Sequence, residues 1–225
     1  MESIQEQDVQ RIPSTAYAPS SMKCARNMFY KRSGYETDPT PREHHMIGIT
    51  ESGTDRHDRL QHQIAQSTKI KWVDVEKYIE ENNLDHLEIR DREGLELQLF
   101  DKERHLSFRC DGIIEFMDEL FILEIKTETS KKWDKRKAVD PDHYDQATVY
   151  SIAFGIPKVM FLYENRDRCL KKAYVFEPTE EQKDIILKRI QIAEQAFALN
   201  KEPIAEPSSS NCRYCRYKIY CDEAK

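Results

Sequence analysis

Apolar positions along this chain recur first at helical spacing, then by alternation, then at helical spacing again, so helices are expected around a central group of strands. Residues 1–18 show no periodicity and read as a loose leader. Ser20-Ser21 predicts the cap of a helix running through Cys24 to about Arg32, with Gly34 placed to end it. Residues 35–49, with Pro39 and Pro41, read as a loop. A second helix is expected from Thr50 or Ser52, carrying His57, Leu60 and Ile64 on one face, and Trp72, Val75, Tyr78 and Ile79 predict a further helical turn or two.

From Leu87 to Phe100 the pattern alternates, with Leu95, Leu97 and Leu99 on one face, so strands begin there. Leu106–Phe116 reads as one strand, Met117-Asp118-Glu119 as its turn, and Leu120–Lys126 as the returning strand. Residues 127–140 are polar and without period and read as a loop. Pro141 predicts the start of a helix to Phe154, stopped by Gly155 and Pro157. Lys158–Tyr163 and Lys172–Phe176 predict a strand pair. Thr179 then caps a long helix, with Gln182 at the capping-box position and a core stripe of Ile185, Ile186, Ile190, Ala193 and Phe197. The fold class is therefore α/β or α+β, a short mixed sheet flanked by helices, with residues 19–225 as a single domain.

Composition narrows this picture. At 39% hydrophobic and 34% charged, the chain is globular rather than disordered. No apolar run approaches the ~18 residues that cross a bilayer, and the acidic, polar start is the reverse of a signal peptide. The expected location is the cytoplasm, where clustered cysteines serve as metal ligands rather than disulfides. The net charge of −6 counts against a protein that coats nucleic acid, but it leaves room for local basic patches. Lys131, Lys132, Lys135, Arg136 and Lys137 surround Trp133 in one such patch. Arg213, Arg216 and Lys218 alternate with Tyr214, Tyr217 and Tyr220 in another.

The chemistry sits in the middle and at the ends. Residues two apart on a strand share a face, so Glu124 and Lys126 point together while Ile125 points into the core. The hairpin can bring Asp111 beside them. Two carboxylates make a hard oxygen site for Mg²⁺ or Mn²⁺, and the ammonium of Lys126 can orient water or offset developing charge. At the ends, Cys24 stands far from Cys212, Cys215 and Cys221, a one-plus-three set of thiolates that suits either an iron–sulfur cluster or Zn²⁺. The lone early cysteine departs from paired zinc knuckles and favours the cluster. Cys110 and Cys169 read as apolar fillers.

Together, Asp111-Gly112 and Glu124-Ile125-Lys126 resemble the PD-(D/E)XK nuclease superfamily with its restriction-endonuclease-like core, and within it the RecB-like exonucleases. Gly53-Thr54-Asp55-Arg56-His57 resembles the helical element whose histidine ligates metal in that branch. Gln146-Ala147-Thr148-Val149-Tyr150 resembles its Gln-x-x-x-Tyr motif, which faces the metal site and the nucleic acid. The cysteine pattern is similar to that of CRISPR-associated exonucleases and AddB-type nuclease domains, which hold a four-iron, four-sulfur cluster between helix 20–34 and segment 208–225. Cys110 stands where the family pattern has proline. The resemblance implies metal ligation by His57, Asp111, Glu124 and the carbonyl of Ile125, with Lys126 positioning the attacking water. It further implies Gln146 and Tyr150 on the strand being cut. Single-stranded DNA is the expected substrate, guided by Lys131, Lys132 and Arg136, with Trp133 stacking on a base. Protein partners in recombination or CRISPR spacer acquisition are implied, and no membrane. Three other readings stay open: an end-trimming subunit active only in a complex, a catalytically silent nucleic-acid-binding module, and a redox sensor that reads the cluster.

Overall fold

In the computed structural model, residues 14–38, 44–213 and 215–221 are described. Seven α-helices appear among them: α1 (Ala25–Arg32), α2 (His44–Ala65), α3 (Val75–Glu81), α4 (Ser130–Lys135), α5 (Tyr144–Phe154), α6 (Glu180–Leu199) and α7 (Ser209–Arg213). The strands are β1 (Lys71–Val73), β2 (Leu87–Glu93), β3 (Glu96–Asp101), β4 (Leu106–Cys110), β5 (Gly112–Phe116), β6 (Glu119–Glu128), β7 (Val159–Asn165) and β8 (Lys171–Phe176). They form two sheets, one of five strands in the order β1-β5-β6-β7-β8 and one of three in the order β2-β3-β4. Only β6 and β7 run parallel. A parallel neighbour requires a crossover, here α4 and α5.

The residues expected to form one strand over 106–116 form two. β4 pairs with β3 in the small sheet, whereas β5 pairs with β6 in the large one. The break falls at Asp111-Gly112. Gly112 has φ +151, and a Cβ there would lie 2.5 Å from the indole edge of Trp72. Only glycine lets the chain change sheets with that ring pressed against it. Trp72 itself belongs to β1 rather than to a helix, paired opposite Ile114.

The large sheet is buried on both faces. Leu60 of α2 packs with Ile114, Leu123 and Ile125 on one side. Val149, Tyr150 and Phe154 of α5, with Phe161, Ile186 and Ile190, join the small sheet's Leu97, Leu99 and Phe108 in the main core. α6 starts with the expected capping box: Gln182 N donates to Thr179 Oγ1 at 3.2 Å, and Thr179 N donates to Gln182 Oε1 at 2.9 Å. Its buried stripe is Ile186, Ile190, Ala193 and Ala196, while Ile185 is 47% exposed and Phe197 lies under the Arg32 guanidinium.

Four other expectations are corrected. α2 already runs at His44, within the stretch read as loop; residues 39–43 lie outside the described ones. Residues 130–135 form helix α4. α1 is preceded by a 3₁₀ turn, Pro19–Ser21, and is entered at Cys24 rather than capped by the serines. Residues 14–18 are not loose. Tyr17 is 1% exposed, exchanges backbone hydrogen bonds with His105 and Ser107, and donates its hydroxyl to Glu194. Among the described residues no helix is long and apolar enough to cross a membrane.

Candidate active site

β6 carries Glu124 and Lys126 on the sheet face that α5 covers. Lys126 Nζ stands 2.5 Å from Glu124 Oε1 and donates to Gln146 Oε1 at 3.2 Å. The Gln146 amide donates to Glu124 Oε1 and to the Tyr150 hydroxyl, each at 2.8 Å. Tyr150 in turn donates to the carbonyl of Arg109 at 2.8 Å. One helical turn separates Gln146 from Tyr150, so both face the strand. Glu124 is only 4% exposed. Burial, helped by the Asp111 charge, pushes its carboxyl up to about 7 against the opposing pull of Lys126.

Asp111 stands at the seam between the sheets, 6% exposed. Its Oδ1 lies 2.9 Å from His57 Nδ1 of α2, and its Oδ2 accepts the amide N–H of Ile125 at 2.5 Å. The second bond ties the strand junction to β6 midway between Glu124 and Lys126. Burial pulls the His57 imidazole down, but the hydrogen bond and charge of Asp111, with the Glu124 charge, outweigh it and raise the pKa.

Glu96 of β3 enters the same site, a residue that no sequence motif singled out. The β3–β4 pairing reaches Leu97 opposite Cys110, and Glu96, one residue before Leu97, brings a carboxylate oxygen within 4.8 Å of one on Asp111. The Gln61 amide, on a side chain 1% exposed, donates to both Glu96 Oε1 (3.1 Å) and the Asp111 carbonyl (2.9 Å). Donor atoms of His57, Glu96 and Asp111 all lie within 4.8 Å of one another, the only such triad of metal-ligating side chains among the described residues. Burial, then the Asp111 charge, raises the Glu96 pKa. The only signal for Glu96 would have been the register of a hairpin, which spacing along the chain does not encode.

The basic stretch after β6 departs from expectation. Arg136 does not reach out to guide a strand: its side chain is 8% exposed, bonded to Glu128 at 2.5 and 2.8 Å and to Asp140 at 2.9 Å, over the ring of Tyr163. Trp133 is half-buried, donates to the Tyr163 carbonyl, and has the Lys172 ammonium 3.9 Å from its ring centroid. Both side chains hold α4 onto the sheet, which is why the segment is a helix and not a mobile loop. Lys132 pairs with Asp140 at 3.0 Å yet is 55% exposed, and Lys131 is exposed.

Cys24, Cys212, Cys215 and Cys221 all line one cavity of about 520 Å³, and none is in a disulfide. Asn27 Nδ2 donates to Cys215 Sγ at 3.2 Å and Arg26 to Cys221 Sγ at 3.8 Å. Tyr30 and Tyr217 pack as one wall, so Tyr217 is a core side chain; Tyr214 lies outside the described residues. Cys110 is buried, as expected of a filler, but Cys169 is exposed in the β7–β8 turn at φ 54.

An acid-lined strand junction, a carboxylate–lysine pair on the adjacent strand and a glutamine–tyrosine helix above them define a hydrolase site of nuclease type. The family model of the PD-(D/E)XK nuclease superfamily matches residues 20–222, and the chain belongs to that superfamily. Its fold is similar to the crystal structure of SSO0001, at TM-score 0.49 and 16% identity over 100% of this chain and 95% of that one. It is also similar to an alkaline exonuclease from Laribacter hongkongensis, at TM-score 0.46 and 12% identity over 89% of this chain and 94% of that one. No curated protein sequence matches it.

Proposed function

We propose that this nuclease is a divalent-metal-dependent deoxyribonuclease of the RecB-like branch that trims DNA ends, single strands above all. The observation that carries this reading is the convergence of His57, Asp111, Glu124, Lys126 and Gln146 where the two sheets meet. His57, Asp111, Glu124 and the carbonyl of Ile125 are the groups that would hold Mg²⁺ or Mn²⁺. Their oxygen-rich set with one imidazole fits either ion. Bound there, the ion would lower the pKa of water and neutralise phosphate charge.

The protein's own residues supply the rest. Lys126, tethered by Glu124 and Gln146, places a fixed cation beside the attacking water and the phosphate oxygen that gains charge. The water oxygen adds to phosphorus, releasing a proton to solvent, as the P–O bond to the departing nucleotide breaks and the leaving oxygen takes up a proton from solvent. Gln146 and Tyr150 hold Glu124 and Lys126 in register; the half-buried Gln146 would face the strand being cut, whereas Tyr150, 3% exposed in the core, acts behind it and does not contact the strand. Lys131 and Lys132, two of the exposed lysines of the crossover, would contact its phosphates.

The same reading assigns a four-iron, four-sulfur cluster to Cys24, Cys212, Cys215 and Cys221. The shared cavity fits it, since two N–H donors already point at the sulfurs and aromatic side chains line one wall. A single zinc would need thiolates about 3.8 Å apart at Zn–S ~2.3 Å, and no three of these sulfurs gather within 4.8 Å among the described residues.

The test is degradation of end-labelled single-stranded DNA by anaerobically purified protein with Mn²⁺, Mg²⁺ or chelator, beside Lys126→Ala. Metal-dependent loss of label in the wild type, reduced at least ~100-fold in the variant, is expected. Equal activity in chelator, or an undiminished Lys126→Ala, would overturn the proposal.

A further inference from the structure

We propose that Glu96 is a metal ligand and that the groups named above divide between two divalent cations: His57 with Glu96 and Asp111 holds one, and Glu124 with the Ile125 carbonyl and Asp111 holds the other. This rests on the metal-dependent reading above and adds a residue from the other sheet to it.

Geometry separates two donor groups around Asp111. On one side, the Glu124 carboxylate is engaged by Lys126 and Gln146, and Asp111 Oδ2 meets the amide of Ile125. On the other, His57, Glu96 and Asp111 bring one imidazole nitrogen and two carboxylate oxygens within 4.8 Å, a set to which Glu124 does not belong. Within that set His57 Nδ1 and Asp111 Oδ1 are 2.9 Å apart. Adjacent ligands of an octahedral ion at ~2.1 Å stand about 3 Å apart, so this pair already has the spacing of neighbouring ligands.

Glu96 is held in place for the role. It stands at the start of β3, just before the pairing of Leu97 with Cys110, and the buried Gln61 amide grips Glu96 Oε1 and the Asp111 carbonyl together. That grip occupies one carboxylate oxygen and leaves the other for a cation. Two carboxylate oxygens and an imidazole nitrogen this close together make a hard donor set that favours a divalent cation between them. The imidazole suits transition metals better than Mg²⁺, so the Glu96 position would take Mn²⁺ in preference.

Titration of the full chain with Mn²⁺ alone, followed by calorimetry and electron paramagnetic resonance, tests this without any turnover. Two ions per chain are expected, with the signal broadened by their proximity. Glu96→Gln should bind one, with the broadening gone, and Glu96→Asp should keep two, one at least ~10-fold weaker. A Glu96→Gln titration identical to wild type overturns the inference and leaves the metal-dependent reading intact, whereas no Mn²⁺ binding by the wild type overturns both. Glu96→Gln is close to isosteric and its fold is checked by circular dichroism. Should it unfold, Glu96→Asp decides, and unchanged affinity at both positions overturns the inference.

Discussion

Asp111 divides its two oxygens between the sheets: one meets His57 of α2, the other the backbone of β6. Such a residue positions its neighbours as much as it offers a ligand. Glu124, behind it, has a carboxyl pushed up to about 7 from an ordinary 4.5, through burial first and the Asp111 charge second. A raised carboxyl binds its proton more tightly when folded. Its contribution to stability is therefore complete below about 4.5 and is lost as pH rises through about 7. In chelator, the unfolding free energy of the metal-free chain should fall across that window, and Glu124→Gln should lack this part of the fall. Urea midpoints measured from pH 4.5 to 8 check it; parallel curves for the two proteins would refute it.

At the scale of elements, the crossover between β6 and β7 shows how a basic run is shared between structure and surface. Arg136 neutralises Glu128, which is 4% exposed, and shares Asp140 with Lys132. Removing its guanidinium leaves a buried carboxylate without its main partner, which costs about 3 kcal/mol or more. Lys131 is exposed, and its loss should change stability by less than about 0.5 kcal/mol. Arg136→Ala is thus expected to lower the urea midpoint and leave the salt dependence of DNA binding unchanged. Lys131→Ala should do the reverse, reducing the salt slope by about 0.7 for single-stranded DNA. Denaturation and binding isotherms at several salt concentrations separate the two.

Across the whole molecule, the two ends of the described chain close on each other. Asn211 Nδ2 donates to the Lys23 carbonyl, the Tyr30 hydroxyl to that of Tyr220, and Ala25 N to Glu206. The four cysteines lie inside this closure, so a cluster there would lock a loop spanning most of the chain. On the proposed cluster reading the wild type should purify with iron, Cys24→Ser should lack it and show a Tm lower by about 5–10 °C, while Cys169→Ser, exposed in a turn, should do neither. Iron assay and thermal unfolding under anaerobic conditions decide; a Cys24→Ser protein with full iron content would remove that cysteine from the cluster.

What the sequence determined by itself lies within reach of a few residues. Backbone periodicity alone puts Glu124 with Lys126 on one strand face and Gln146 with Tyr150 on one helix face. The Thr179 capping box, the β5–β6 turn and the stop at Gly155 follow from chemistry between near neighbours. Only the tertiary structure decided that the chain changes sheets at Asp111, that Glu96 stands beside it, and that Arg136 and Trp133 are committed to packing. It also decided that Tyr17 is docked and that Ile185 faces solvent. Each of these depends on strand register or on which distant surface covers a side chain. Such contacts are chosen by the packing of the whole core, and no local pattern of apolar and polar positions specifies them.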